Sequence, residues 1–188
     1  MWIRLITLMI CLIAPPALAE VLTPGDLRED RAPGLEQLYT DLRSDERDVW
    51  RLAEDALINR FNHSGSPAMD LLLQRGHRLI DEGNFSEAVW HLSALIDHAP
   101  SFAEAYNARA TAYYLMGELS LSLADIRITL YLNPRHFGAM SGLGIVLEEL
   151  GHLDQALSAY RAAEIIHPHF EGLGDNIDRL QRARSTAL

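Results

Sequence analysis

Apolar positions between residues 69 and 170 recur at i, i+3, i+4 spacing in paired stretches, which predicts amphipathic helices in pairs. The pairs themselves recur. Pro100, Pro134 and Pro168 are 34 residues apart, and so are Gly83, Gly117 and Gly151. The small residues Gly76, Ala110 and Gly144 form a third series with the same step. Three independent series with one period define a helix pair used three times. The predicted first helices are 70–80, 105–116 and 139–150, each stopped by a glycine of the second series. The predicted second helices are 86–98, 120–132 and 154–166, and the following proline bars their extension.

The flanks follow the same spacing. Leu35, Leu38, Tyr39 and Leu42 make one apolar stripe, and the second helix carries Val49, Trp50, Leu52, Ala53, Ala56, Leu57 and Phe61. Ser44 is the predicted N-cap of the second of these helices, with Asp45 and Glu46 in its first turn. His63-Ser64-Gly65-Ser66-Pro67 breaks the pattern. Residues 35–67 are therefore expected to form a helical hairpin in the place of a repeat zero, either a degenerate repeat or an N-terminal cap, because Leu42 and Glu54 stand where the other units are small. At the far end Leu173, Ile177 and Leu180 share a stripe among charged residues, as expected of a capping helix. The expected fold is an all-α solenoid of three helix pairs (68–101, 102–135 and 136–169), with a hairpin before them and a capping helix at 170–188.

Residues 1–19 read as a secretory signal peptide. Arg4 precedes the apolar run 5–14, Pro15-Pro16 ends it, and Ala17-Leu18-Ala19 supplies a cleavage pattern before Glu20. The run is too short to span a bilayer, which takes ~20 residues. Residues 20–34, with Pro24, Gly25, Pro33 and Gly34, read as a flexible leader. Cleavage removes Cys11, the single cysteine, so disulfides and thiolate metal sites are excluded from the remainder. The chain carries 26 acidic and 16 basic residues, all of the latter Arg, for a net charge of −10. That balance argues against nucleic-acid binding, which needs a positive surface. Arg- and Ala-rich, Lys-free usage together with the signal points to a bacterial periplasmic or secreted protein.

The three units resemble the tetratricopeptide repeat (TPR) family, whose pattern is large at position 4, small at 8, large at 11, Ala at 20, large at 24, Ala at 27 and Pro at 32. The third unit supplies Met140, Gly144, Leu147, Ala156, Tyr160, Ala163 and Pro168. The second supplies Tyr106, Ala110, Tyr113, Ser122, Ile126, Thr129 and Pro134, and the first Leu72, Gly76, Leu79, Ala88, Leu92, Leu95 and Pro100. Leu95 and Thr129 depart from the pattern at position 27. The resemblance spans Met69 to Phe170.

That resemblance implies a protein–protein interaction module whose partner lies in the concave groove of the first helices. The groove positions it implies are Asp70, Leu73, Gln74, His77, Ile80 and Asp81; then Glu104, Asn107, Ala108, Thr111, Tyr114 and Leu115; then Gly138, Ser141, Gly142, Ile145, Glu148 and Glu149. Members that clamp a carboxylate tail carry Lys or Arg at positions 2, 5 and 6, and here none is basic. The expected groove has an acidic rim (Asp70, Asp81, Glu104, Glu148, Glu149) over an apolar or small floor, suited to a basic, apolar segment of another envelope protein; the alternative is that these acids are only a solvated face.

No nucleotide loop, zincin or hydrolase motif occurs, so no catalytic residue, metal or cofactor is expected. Two other functions stay open: a membrane-associated assembly factor for envelope or cytochrome complexes, and a small metal-dependent hydrolase using His77, Asp81 and Glu148. His167-Pro168-His169 is expected to be a solvated turn, and Arg109 either a ligand contact or an ion-pair partner of Asp125. No sequence feature reports the oligomeric state.

Overall fold

The structure, a computed structural model, describes residues 34–186. The expected signal peptide and, apart from Gly34, the expected leader lie outside the described residues. Among those described there are nine helices and no strand: α1 Leu35–Asp41, α2 Arg47–Phe61, α3 Pro67–Asp81, α4 Phe85–His98, α5 Ala103–Leu115, α6 Leu119–Leu132, α7 Phe137–Glu149, α8 Leu153–Ile166 and α9 Leu173–Thr186. Helices α3/α4, α5/α6 and α7/α8 pair tightly. Each second helix also packs on the next first helix, while α3, α5 and α7 lie side by side. The result is an α-solenoid whose apolar residues are buried in successive clusters along the stacked helices. Helix α9 closes it by burying Leu173, Ile177 and Leu180 against Leu147, Leu157 and Tyr160.

The small series explains the tight pairing. Leu92 overlies Gly76, and Tyr160 overlies Gly144, in each case sixteen residues on. A Cβ at residue 144 would lie 2.4, 2.5 and 2.7 Å from Tyr160 ring atoms, and one at residue 76 would lie 2.5 Å from Leu92 Cδ2. The small residue thus admits a large side chain from the second helix onto the backbone of the first. Ala88, Ser122 and Ala156, on the facing side, are all buried. After each first helix the chain reverses at Gly83, Gly117 and Gly151, with φ of 78°, 79° and 78°. The amide three residues past the last helical residue reaches back in each turn, as from Glu118 N to Tyr113 O at 2.9 Å.

The departures at position 27 are absorbed locally. Leu95 and Thr129 are as buried as Ala163. The Thr129 hydroxyl donates to the Asp125 carbonyl at 3.0 Å, one turn back on α6. Asp125 accepts two bonds from Arg109, from Nε at 2.7 Å and from Nη2 at 2.9 Å. The third arm of the guanidinium donates to Ser93 Oγ at 2.9 Å. Arg109 is therefore an ion-pair partner that ties α4, α5 and α6, and its hydrogen bonds to the Asp125 carboxylate raise its pKa.

The N-terminal hairpin differs from a repeat zero. It does not pack on α3 as a preceding unit would; its apolar face joins Phe137, Ile166 and Phe170 of the third unit. Arg135 pairs with Glu36 at 2.6 Å and stacks on Tyr39, whose ring centroid is 3.9 Å away. Helix α2 also starts at Arg47, later than the Ser44 cap implies. The Ser44 hydroxyl accepts from the Glu46 amide at 3.1 Å, and its carbonyl accepts from His169 Nε2 at 2.8 Å, so Ser44 belongs to a turn that joins the hairpin to the third unit.

Gly144→Leu is expected to lower stability by at least about 1–3 kcal/mol through overpacking against Tyr160, read as a shifted denaturant midpoint. Asp125→Ala is expected to cost about 3 kcal/mol by leaving a largely buried guanidinium without its carboxylate; an unchanged midpoint would reject the ion pair as a structural tie.

Candidate functional site: the face of the first helices

The face formed by α3, α5 and α7 holds two recesses. The first, of about 640 Å³, is lined by Asp70, Leu73, Gln74 and His77 of α3 and by Asn62 and His63 from the end of the hairpin. The second, of about 340 Å³, lies between α5 and α7 and is lined by Asn107, Thr111, Tyr114 and Leu115 on one side and Gly138, Gly142 and Ile145 on the other. Ala110, Ser122, Ile126 and Val146 form its inner wall. The glycines matter here: a Cβ at residue 142 would come no nearer than 3.8 Å to Ile126, so the recess exists because α7 is bare at that point. Its walls are mostly apolar, with room for about one large apolar side chain.

Glu104 sits between the recesses, 7 % exposed, and is drawn inward from the rim position expected of it. Its Oε2 accepts from His136 Nε2 at 2.8 Å, and its Oε1 accepts from Asn107 at 3.0 Å. Oε1 also lies 3.9 Å from His77 Nε2. His136 Nδ1 accepts from the Ala139 amide at 3.1 Å and caps α7. A ring nitrogen that accepts from a backbone amide carries no proton, so Nε2 is the nitrogen that donates to Glu104. Glu104 is therefore held by side-chain donors of α5 and of the turn before α7. The partition it forms is covered by Phe61 of α2, stacked on His136 at 4.6 Å.

The other expected groove residues divide by burial. Asp81 and Glu149 are exposed at the far ends of α3 and α7. Asp70 accepts from the Ser64 hydroxyl at 2.6 Å and the Ser64 amide at 2.7 Å, which lower its pKa and fix the turn before α3. Glu148 is paired with Arg179 of α9 and accepts from Tyr160. Ala108 and Ser141 are buried and face neighbouring helices, not the recesses. Only Asp81 and Glu149 of the five acids thus remain exposed rim charges. Among the described residues no group of three or more His, Cys, Asp or Glu could hold a metal ion. His77, Asp81 and Glu148 do not form such a group.

His167 corrects a second expectation. It is fully buried, not part of a solvated turn. Its ring packs edge-on to Phe137, with centroids 5.0 Å apart, and near Trp50 and Phe170. The repeat register carried a signal for this. Ala99, Asn133 and His167 are equivalent, and so are Ala103, Phe137 and Glu171. The third inter-repeat turn breaks its own period where the hairpin docks.

Comparison with known proteins bears on the same face. A family model described as "Tetratricopeptide repeat" matches residues 73–129 and 116–169, together more than half of the chain. A TPR repeat-containing protein of Rhizobium etli is 35% identical over 136 residues, 71% of this chain and 66% of the relative. The chain thus spans about two thirds of that relative's length. Among solved structures, the Sgt2 TPR domain from Aspergillus fumigatus superposes with a TM-score of 0.62 at 19% identity, over 65% of this chain and 82% of that one. The first TPR of Spaghetti (RPAP3), bound to the HSP90 peptide SRMEEVD, gives 0.60 at 20% identity, over 62% and 93%. At these identities the structural likeness is one of fold.

Glu104→Ala is expected to destabilise the chain by about 1–3 kcal/mol, because the buried Nε2 donor of His136 loses its acceptor. Glu104→Gln, which keeps an acceptor, should recover part of that loss in the same denaturant titration.

Proposed function

This chain belongs to the tetratricopeptide repeat family, and on that premise we propose that it is a non-enzymatic scaffold that binds a segment of another protein against α3, α5 and α7. The observation that carries the proposal is the recess between α5 and α7. It is apolar, open to solvent, and left vacant by Gly138 and Gly142 where a side chain would fill it. An extended or helical segment that places one large apolar residue there gains burial without any rearrangement of the solenoid. Asp81 and Glu149 at the ends of the face, and the net charge of −10, favour a segment with basic flanks.

The charge pattern also disfavours one partner class. Positions 2, 5 and 6 are Asp70, Leu73 and Gln74, then Glu104, Asn107 and Ala108, then Gly138, Ser141 and Gly142. An acidic chaperone tail such as SRMEEVD, seen on the RPAP3 domain, meets no cation at any of them.

The setting we propose is the bacterial envelope, with cleavage after Ala19 and an envelope protein as the partner. The signal-like residues 1–19, the Lys-free usage and the rhizobial relative support it. Among the described residues no helix is long and apolar enough to cross a membrane. A membrane-held assembly factor would instead retain residues 1–19 as an anchor.

Gly142→Leu fills the recess with little strain on the fold. Partner captured from the native envelope should bind it at least tenfold more weakly, with the melting temperature nearly unchanged; full affinity would reject the recess as the contact. Intact mass of the exported protein should begin at Glu20, whereas a mass beginning at Met1 would favour the anchored assembly factor.

A further inference from the structure

The hairpin is fastened to the third unit by a seam rich in histidine. Trp50 of α2 stacks on His169 with centroids 5.0 Å apart, and His169 Nε2 donates to the Ser44 carbonyl. Beside them His167 is enclosed by Trp50, Phe137 and Phe170, with 0 % of its surface exposed. Neither of its ring nitrogens has a well-formed hydrogen bond. The nearest acceptor, Glu54 Oε1 of α2, is 3.2 Å from Nε2 but poorly aligned. Half of this enclosure, Trp50 and Glu54, comes from the hairpin, so His167 meets water when the hairpin lifts.

We propose that the α1–α2 hairpin is a releasable strap, held on the third unit at neutral pH and freed in mild acid by protonation of His167. A charged imidazole in an aromatic enclosure lacks the solvation it has in water, and this cost outweighs the pull of Glu54. Burial accordingly lowers the pKa of His167 below its ordinary value, with Glu54 opposing and His169 reinforcing the shift. The sign follows. The docked state binds fewer protons than the released state, so docking is fully favoured above the ordinary histidine pKa of about 6.5 and weakens as pH falls below it.

The other charged groups at the seam do not reverse this. His136 loses the stacked ring of Phe61 when the hairpin leaves, but it and Glu104 both belong to the repeats and keep each other. His169 can donate to Ser44 from Nε2 in either protonation state. Around it, Arg47 and Arg51 face Asp55 and Glu171, so added positive charge on His169 meets both signs. The Arg135–Glu36 pair titrates in a lower window, because Arg135 holds the Glu36 carboxyl below the usual carboxylate range. Release would uncover Phe137, Ile166 and Phe170 and would remove Asn62 and His63 from the wall of the first recess. Acid would thereby enlarge the surface open to a partner. The proposal rests on the hairpin seam and is independent of what the α5–α7 recess binds.

Hydrogen exchange of the full chain, followed by mass spectrometry between pH 7.5 and 5.5 and corrected for the intrinsic pH dependence of exchange, tests it. A released α2 of fifteen residues is too short to stay helical alone, so its amides report docking. Protection of residues 47–61 should fall with a limiting slope of about tenfold per pH unit below about 6.5, while α5 to α8 keep theirs. In His167→Phe, and in His167→Gln should the first fold poorly, the protection of 47–61 should be flat with pH whatever its absolute level. A flat wild-type profile, a parallel loss across α5 to α8, or the same slope in both variants would overturn the proposal.

Discussion

The structure depends on one contact, repeated: a large side chain of a second helix lying on the bare or nearly bare backbone of a first helix. Leu92 over Gly76 and Tyr160 over Gly144 set how closely the helices of a pair approach. That closeness lets a short turn with a left-handed glycine join them, and lets the next pair stack at the same offset. The curved face of α3, α5 and α7 is a geometric consequence. It needs no sequence of its own, so its surface residues are free to vary, and binding specificity can reside there.

Much of the fold was legible for this reason. A period written three times in glycine, proline and small residues identifies the pairs, because those residues have few other uses at helix ends and crossings. The apolar stripe of α9 was legible on the same grounds, and the Arg109–Asp125 pair could be read from two charges at facing positions of one unit. The placement of the hairpin was not legible. Its spacing identifies two helices but carries no register against the repeats, and Leu42 and Glu54 mark it only as unlike them. The information lay in the other partner: His167, in the turn after α8, and Phe137, at the start of α7, receive the hairpin.

The candidate site was partly legible in the same sense. Register places Asn107, Thr111, Tyr114 and Ile145 on one face, and they do line one recess. Register cannot tell whether a carboxylate at such a position meets water or a neighbour. Glu104 is drawn inward by His136, and Glu148 is held by Arg179, because partners from other units reach them. An acidic rim read from sequence thus contracts to Asp81 and Glu149. The recess itself, made by the absence of side chains at Gly138 and Gly142, has more claim to be the determinant of recognition than the charges around it.

The most direct test of the account is site-specific photo-crosslinking in the native envelope, with the reactive group placed at Thr111 on the recess or at Tyr131 on the outer surface of α6. Both positions are exposed. Crosslinks to a protein partner from Thr111 and none from Tyr131 are the predicted result. Crosslinks from Tyr131 alone would mean that the outer surface, not the face of the first helices, carries the interaction.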